Sequence, residues 1–136
     1  KTADDHVRNE KFNCINSCTA IKLHVFKDYR YDENLFLDQI DHDFCRSQRL
    51  LGRQFYKFPL IIEHNFSLKN QLPSVAVVKR RYELLIPDFL IYCRKQGVLK
   101  YCMAYVKIFA WGIEQSRKYK DWSILPWMMQ YALRKG

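Results

Sequence analysis

The sequence contains no Cys-x-x-Cys pair, no internal repeat, no low-complexity run and no apolar stretch of bilayer-spanning length. Its five cysteines, Cys14, Cys18, Cys45, Cys93 and Cys102, are an odd number without paired spacing. That usage predicts reduced thiols and an intracellular setting instead of a disulfide framework. A zinc site from Cys14, Cys18 and His24 would use a spacing that matches no familiar ligand set, so the cysteines read as small buried side chains. No basic leader followed by an apolar core opens the chain, and residue 1 is lysine, so the sequence reads as a fragment of a longer protein. No nucleic-acid recognition motif accompanies the positive charge, which makes nucleic acid the weaker candidate partner.

What is present can build one modest core: 136 residues, 49% of them hydrophobic and 15% aromatic, a composition that excludes disorder. The net charge of +9 is unevenly placed. Residues 1–64 hold ten Lys and Arg against ten Asp and Glu, whereas residues 65–136 hold thirteen against four. A basic second half points to an anionic surface as partner, above all the acidic face of a membrane.

The chain is organised around LFLDQIDHDFC, residues 35–45, where Asp38, Asp41 and Asp43 sit among apolar Phe36, Leu37, Ile40, Phe44 and Cys45. Carboxylates at the edge of a core fit two roles. One is a helix cap: Asp41 as N-cap places Asp43 in the first turn, against the positive end of the helix dipole. The other is an acid held in a partly desolvated site for chemistry. A helix from Asp41 through Phe44, Cys45, Gln48 and Leu51 is expected to stop at Gly52, with Arg46, Arg49 and Arg53 around its end.

Before this helix, residues 12–23 read as a strand or two, followed by a short helical turn at Val25 and Phe26. After it, residues 54–58 and 60–63 read as short strands around Pro59, ending at His64. The stretch 67–74, SLKNQLPS, is a linker, and helical periodicity begins at Val75. Pro87 predicts a kink or break, and Gly97 separates two helices. In residues 99–115, Lys100, Lys107 and Glu114 make one narrow polar stripe on an otherwise apolar helix, which is expected to be mostly covered. Trp122 and Trp127, with Lys118 and Lys120 nearby, have the pattern of an interfacial anchor, and equally that of a last helix packed on its neighbours.

Taken in order, these signals resemble the C-terminal part of inverting family 2 glycosyltransferases, especially the rhamnosyltransferase-like members that build bacterial surface polysaccharides. INSCTAIKLHVFKDYRYDENLFLDQIDHDFC is similar to the family's small-residue strand, turn and acidic motif. RSQRLLGRQFYKFPLIIEH is similar to the helix, glycine, strand, proline and histidine that follow. The resemblance covers residues 12–67 well and the remainder loosely. It departs from the family at Cys18, where glycine is common, at Ile40, where glutamate is frequent, and at Ser47, where arginine is usual. The family's Arg-Asn pair is also missing near Ile86 to Asp88.

The resemblance implies an α/β fold: the C-terminal portion of a GT-A nucleotide-diphospho-sugar transferase fold with short strands, followed by a helical tail. Residues 1–67 would be the acceptor-side part of the catalytic domain and residues 68–136 a helical appendage. Asp41 matches the general base that deprotonates the acceptor hydroxyl. Asp38 and Asp43 match acceptor-side or supporting acids, with Arg46 and Arg49 as substitutes for the usual arginine. His64 matches a position close to the diphosphate and its metal. A divalent cation, manganese or magnesium, would be held mainly by an N-terminal half outside this sequence. The implied partners are a nucleotide-sugar donor and a glycan or lipid-linked acceptor, with the enzyme in the cytoplasm, peripheral on the inner face of the cell membrane. Strand edges left bare by the missing half predict self-association of the fragment. The competing reading is a basic, aromatic-rich membrane-surface or interaction module without catalysis.

Overall fold

The structure, a computed structural model, describes residues 13, 19–56 and 73–136. It divides into two compact units, one containing residues 19–32 and 40–56 and the other residues 33–39 and 73–136.

In the first unit a 3-10 turn spans Leu23–Lys27 and is opened by the Val25 amide donating to the Lys22 carbonyl at 3.0 Å. Its one buried residue, Val25, joins Tyr29, Phe44 and Cys45 in a small core, with Ile21, Tyr31 and Phe55 packed around them. The rings of Tyr29 and Phe44 meet edge to face, centroids 5.3 Å apart, and Tyr31 closes on Tyr29 in the same manner at 5.5 Å. Such contacts add about 0.5–1.5 kcal/mol each beyond the area they bury.

Helix α1 spans Asp38–Leu50. It ends as its glycine predicts: Gly52 takes φ +70°, its amide bonds the Arg49 carbonyl at 2.9 Å, and the Arg53 amide bonds the Gln48 carbonyl at 3.0 Å. This pair of bonds satisfies two carbonyls the helix would otherwise leave open. The start differs from expectation, lying at Asp38 instead of Asp41. The reason is Asp88, whose buried carboxylate accepts from the Phe36 amide at 3.0 Å and also from the Leu37 amide. The chain is fixed and charge-matched just upstream of Asp38, so the helix begins there and Asp41 falls inside it.

The second unit is a bundle of three helices, α2 (Val75–Arg94), α3 (Val98–Tyr119) and α4 (Ile124–Lys135). Ser74 caps α2 by accepting the Val77 amide at 3.4 Å. Gly97, at φ +107°, turns the chain between α2 and α3. Ile86, Leu90, Ile108, Ile124 and Met128 form the centre, none more than 2% exposed. On α3 the positions 104, 108, 112 and 116 recur every four residues and are all buried. Gly112 permits close approach of α4: a Cβ there would lie 2.6 Å from Leu125 Cδ1 and 3.3 Å from its Cα. Lys120 ends α3 in the left-handed region, φ +53°, a conformation that costs a non-glycine residue about 1–2 kcal/mol.

Helix α2 continues through Pro87, where a kink or break is expected. Proline lacks the amide that would bond the carbonyl four residues back, that of Glu83. The Tyr131 hydroxyl, from α4, donates to that carbonyl at 3.1 Å and takes the missing amide's place.

The α/β expectation is therefore corrected. Every regular element among the described residues is helical, and none is a strand. Residues 19–22 lead into the 3-10 turn, and residues 53–56 follow the helix stop without regular structure. Alternating apolar residues make a strand only when a neighbour pairs their backbone, and no described segment does so. The other expected strand positions, 12, 14–18 and 57–63, lie outside the described residues, and the strand-edge argument for self-association has no basis in the rest.

The Tyr131 bond predicts a double-mutant cycle. Tyr131→Phe should lower stability by roughly 0.5–1.5 kcal/mol, and the loss should vanish when Pro87→Ala restores the intrahelical amide. Urea unfolding of the four proteins measures the coupling; equal losses in both backgrounds would show that the hydroxyl does not serve the Glu83 carbonyl.

Candidate functional site

The acids of the central stretch separate once they are wound into α1. A helix turns by about 100° per residue, so Asp41 and Asp43 point to opposite sides. Asp41 shares its face with buried Cys45 and Gln48 and is itself half-buried. Asp43 is buried at 6% exposure. It lies close enough to Tyr29 to act on the phenol: burial raises that pKa well above the ordinary value, and the Asp43 carboxylate adds to the rise. The Tyr29 hydroxyl finds no hydrogen-bond partner among the described residues, so Asp43 supplies a field on that side of α1 while Asp41 lies on another. Asp38 is the first residue of the helix.

Arg46 and Arg49 are half-buried, and Arg49 Nη1 reaches Asn13 Oδ1 at 3.5 Å. The arginine with the clearest structural task is Arg53, which the sequence marks only as charge at a helix end. Its guanidinium donates to Gln48 Oε1 at 2.6 Å and to Asp28 Oδ2 at 2.9 Å, and Nη1 lies 3.4 Å from the Val25 carbonyl. It thereby ties the 3-10 turn to the last turns of α1, and so fixes the aromatic core against which Asp43 is placed.

Asp88 is the second residue that reading the sequence missed. It stands in the apolar run IPDFL at 3% exposure. A charge in such a run must find donors or be excluded from the interior. That rule was the available signal; the partners, fifty-two residues away at Phe36, could not be read from it. The carboxylate takes the amides of Phe36 and Leu37, the two residues that precede α1.

His64, Cys14 and Cys18 lie outside the described residues, and His24 is exposed on the 3-10 turn. Among the described residues no group of three or more His, Cys, Asp or Glu side chains is arranged to hold a metal. The tail residues also separate. Trp122 is 60% exposed. Trp127 is half-buried, stacked on Tyr131 at 5.6 Å with the Lys79 ammonium 5.6 Å from its ring. Lys118 is exposed beside the Tyr119 ring, and Lys120 forms the left-handed stop of α3. No helix among the described residues is long and apolar enough to cross a membrane.

Compared with protein-family models, with curated proteins and with solved structures, the chain matches none.

The Arg53 contacts predict unequal costs on its two sides. Asp28 is largely exposed, 68% for its side chain, so Asp28→Asn should change stability by less than about 1 kcal/mol. Arg53→Met keeps the aliphatic stem but strands the buried Gln48 amide oxygen, and should cost about 1–3 kcal/mol. Thermal unfolding followed by near-ultraviolet circular dichroism of Tyr29 and Tyr31 distinguishes the two; equal losses would count against the Gln48 contact.

Proposed function

We propose that this chain contributes the acceptor side of a glycosyltransferase, with Asp41 as the general base. The observation that carries the reading is the order of residues in the acidic segment. Asp41 stands near the start of α1 at partial burial, and the helix stops at a left-handed glycine, Gly52. Acidic motif, helix and glycine thus follow one another as they do in the family that the sequence resembles. The helical architecture of the described residues lends this reading no support of its own; it rests on the residues and their order.

In the proposed reaction the acceptor hydroxyl attacks the anomeric carbon of the donor sugar as its proton passes to an Asp41 carboxylate oxygen. The carbon–oxygen bond to the nucleotide diphosphate breaks with inversion. Partial burial suits the role, because it fixes the carboxylate in one orientation and limits competing water. Asp43, whose charge acts on Tyr29, contributes through the fold. Donor and metal would be held by a portion of the protein outside this chain, together with His64.

The test is transfer from a nucleotide-sugar donor by protein that includes the donor-binding portion. Asp41→Asn keeps size and much of the hydrogen bonding but cannot take the proton, so turnover should fall by roughly 10²–10⁴ while donor binding is unchanged. Near-normal turnover in the variant would remove Asp41 from the mechanism, and absence of any sugar transfer by the parent protein would remove the reading itself.

A further inference from the structure

Helix α3 presents apolar residues on two sides. Its buried positions, 104, 108, 112 and 116, face the bundle. About half a turn away, Leu99, Met103, Val106, Ala110 and Ile113 recur at spacings of four and three, forming a second stripe along the helix. Leu99 is 75% exposed, Met103 53% and Val106 69%; Ala110 is exposed and Ile113 half-buried. The expectation that most of this helix is covered is not met on this side. A core helix has no need of such a stripe, and isolated surface apolar residues do not fall at helical spacing over about four turns.

Charge identifies what the stripe suits. Lys100, Lys107 and Lys118 run along one edge, with Glu114, the one acid on α3, among them, and Arg117 stands at its C-terminal end. The whole region 65–136 carries thirteen basic residues against four acidic. A second copy of the chain would bring these lysines against one another, whereas phosphate headgroups would neutralise them. The helix is not long and apolar enough to cross a bilayer, so it would lie in the plane of the interface.

We propose that the outer face of α3 is a docking surface for anionic lipid, with Leu99, Met103 and Val106 entering the headgroup boundary and Lys100 and Lys107 contacting the phosphates. Trp122, exposed just beyond the end of α3, has the amphipathic ring favoured at that depth. The half-buried Trp127 is a packing residue and takes no part. This surface is independent of the proposed catalysis, because neither Asp41 nor a sugar donor takes part in it.

The experiment is co-sedimentation of the intact chain with vesicles of phosphatidylcholine alone or mixed with phosphatidylglycerol. The chain should pellet with the mixed vesicles, less so as salt is raised, and only weakly with the neutral ones. Met103→Asp combined with Val106→Asp, both at exposed positions, should reduce binding by about tenfold or more while leaving the circular dichroism unchanged. Lys100→Glu with Lys107→Glu should remove the preference for phosphatidylglycerol.

Cys102 lies on the same outer side and is exposed, giving a readout that needs no disruptive substitution. With Cys14 and Cys18 replaced by serine, a nitroxide on Cys102 should become shielded from a water-soluble relaxant when mixed vesicles are added. Failure of the parent chain to bind, equal binding by the Met103→Asp, Val106→Asp variant, or an unchanged Cys102 signal would each overturn the proposal. So would a dimer in solution that the aspartates dissociate, which would assign the face to a second copy.

Discussion

The hydrogen bonds from the Phe36 and Leu37 amides to the Asp88 carboxylate are the constraint that holds residues 33–39 against the helical bundle, and the start of α1 depends on it. A buried carboxylate costs several kcal/mol unless it is well paired. Here it is paired with backbone donors from a segment far away in sequence, so the cost becomes specificity: residues 33–39 can pack in the bundle in few other ways. Leu35 is buried, and Leu37 lies against the bundle core. The carboxylate meets the chain at the two residues that precede α1. Removing the carboxylate would free the amides and leave the entry to α1 undetermined.

A second compensation operates within the bundle. Pro87 deprives the Glu83 carbonyl of its donor, and Tyr131 replaces it from α4. Gly112 lets Leu125 approach without a clash, and the recurring buried positions of α3 keep that helix tight against its neighbours. Because packing is concentrated on one side of α3, the opposite apolar stripe stays exposed. The proposed chemistry and docking thus reside in different parts of the protein: the acids on α1, and the basic, apolar face on α3.

Much of the helical organisation was legible. Periodicity from Val75 and the punctuation at Gly97 correspond to α2 and α3, and Gly52 ends α1 as a left-handed C-terminal residue. These signals are local, and local signals survive the fold. The start of α1 was misplaced by three residues because its determinant, Asp88, is distant in sequence. Continuity through Pro87 was unreadable for the same reason, since the compensating hydroxyl belongs to another helix. Strands are expected over residues 12–23, 54–58 and 60–63; of these, 19–23 and 54–56 are described, and there the chain packs single apolar residues such as Ile21 and Phe55 without pairing its backbone. At the candidate site, the burial of Asp43 followed from its apolar neighbours. Its separation from Asp41 follows from helical winding, but the task of Arg53 required knowing where Gln48, Asp28 and Val25 meet.

Amide hydrogen exchange at Phe36 and Leu37 tests the central constraint most directly. Neither amide belongs to a helix of the chain, so protection there must come from Asp88. In the parent protein both should exchange at least about tenfold more slowly than in an unstructured peptide, and Asp88→Ala should abolish that protection while core amides such as that of Ile108 remain slow. Fast exchange at Phe36 and Leu37 in the parent protein, or slow exchange that survives Asp88→Ala, would contradict the anchoring of residues 33–39 by this carboxylate.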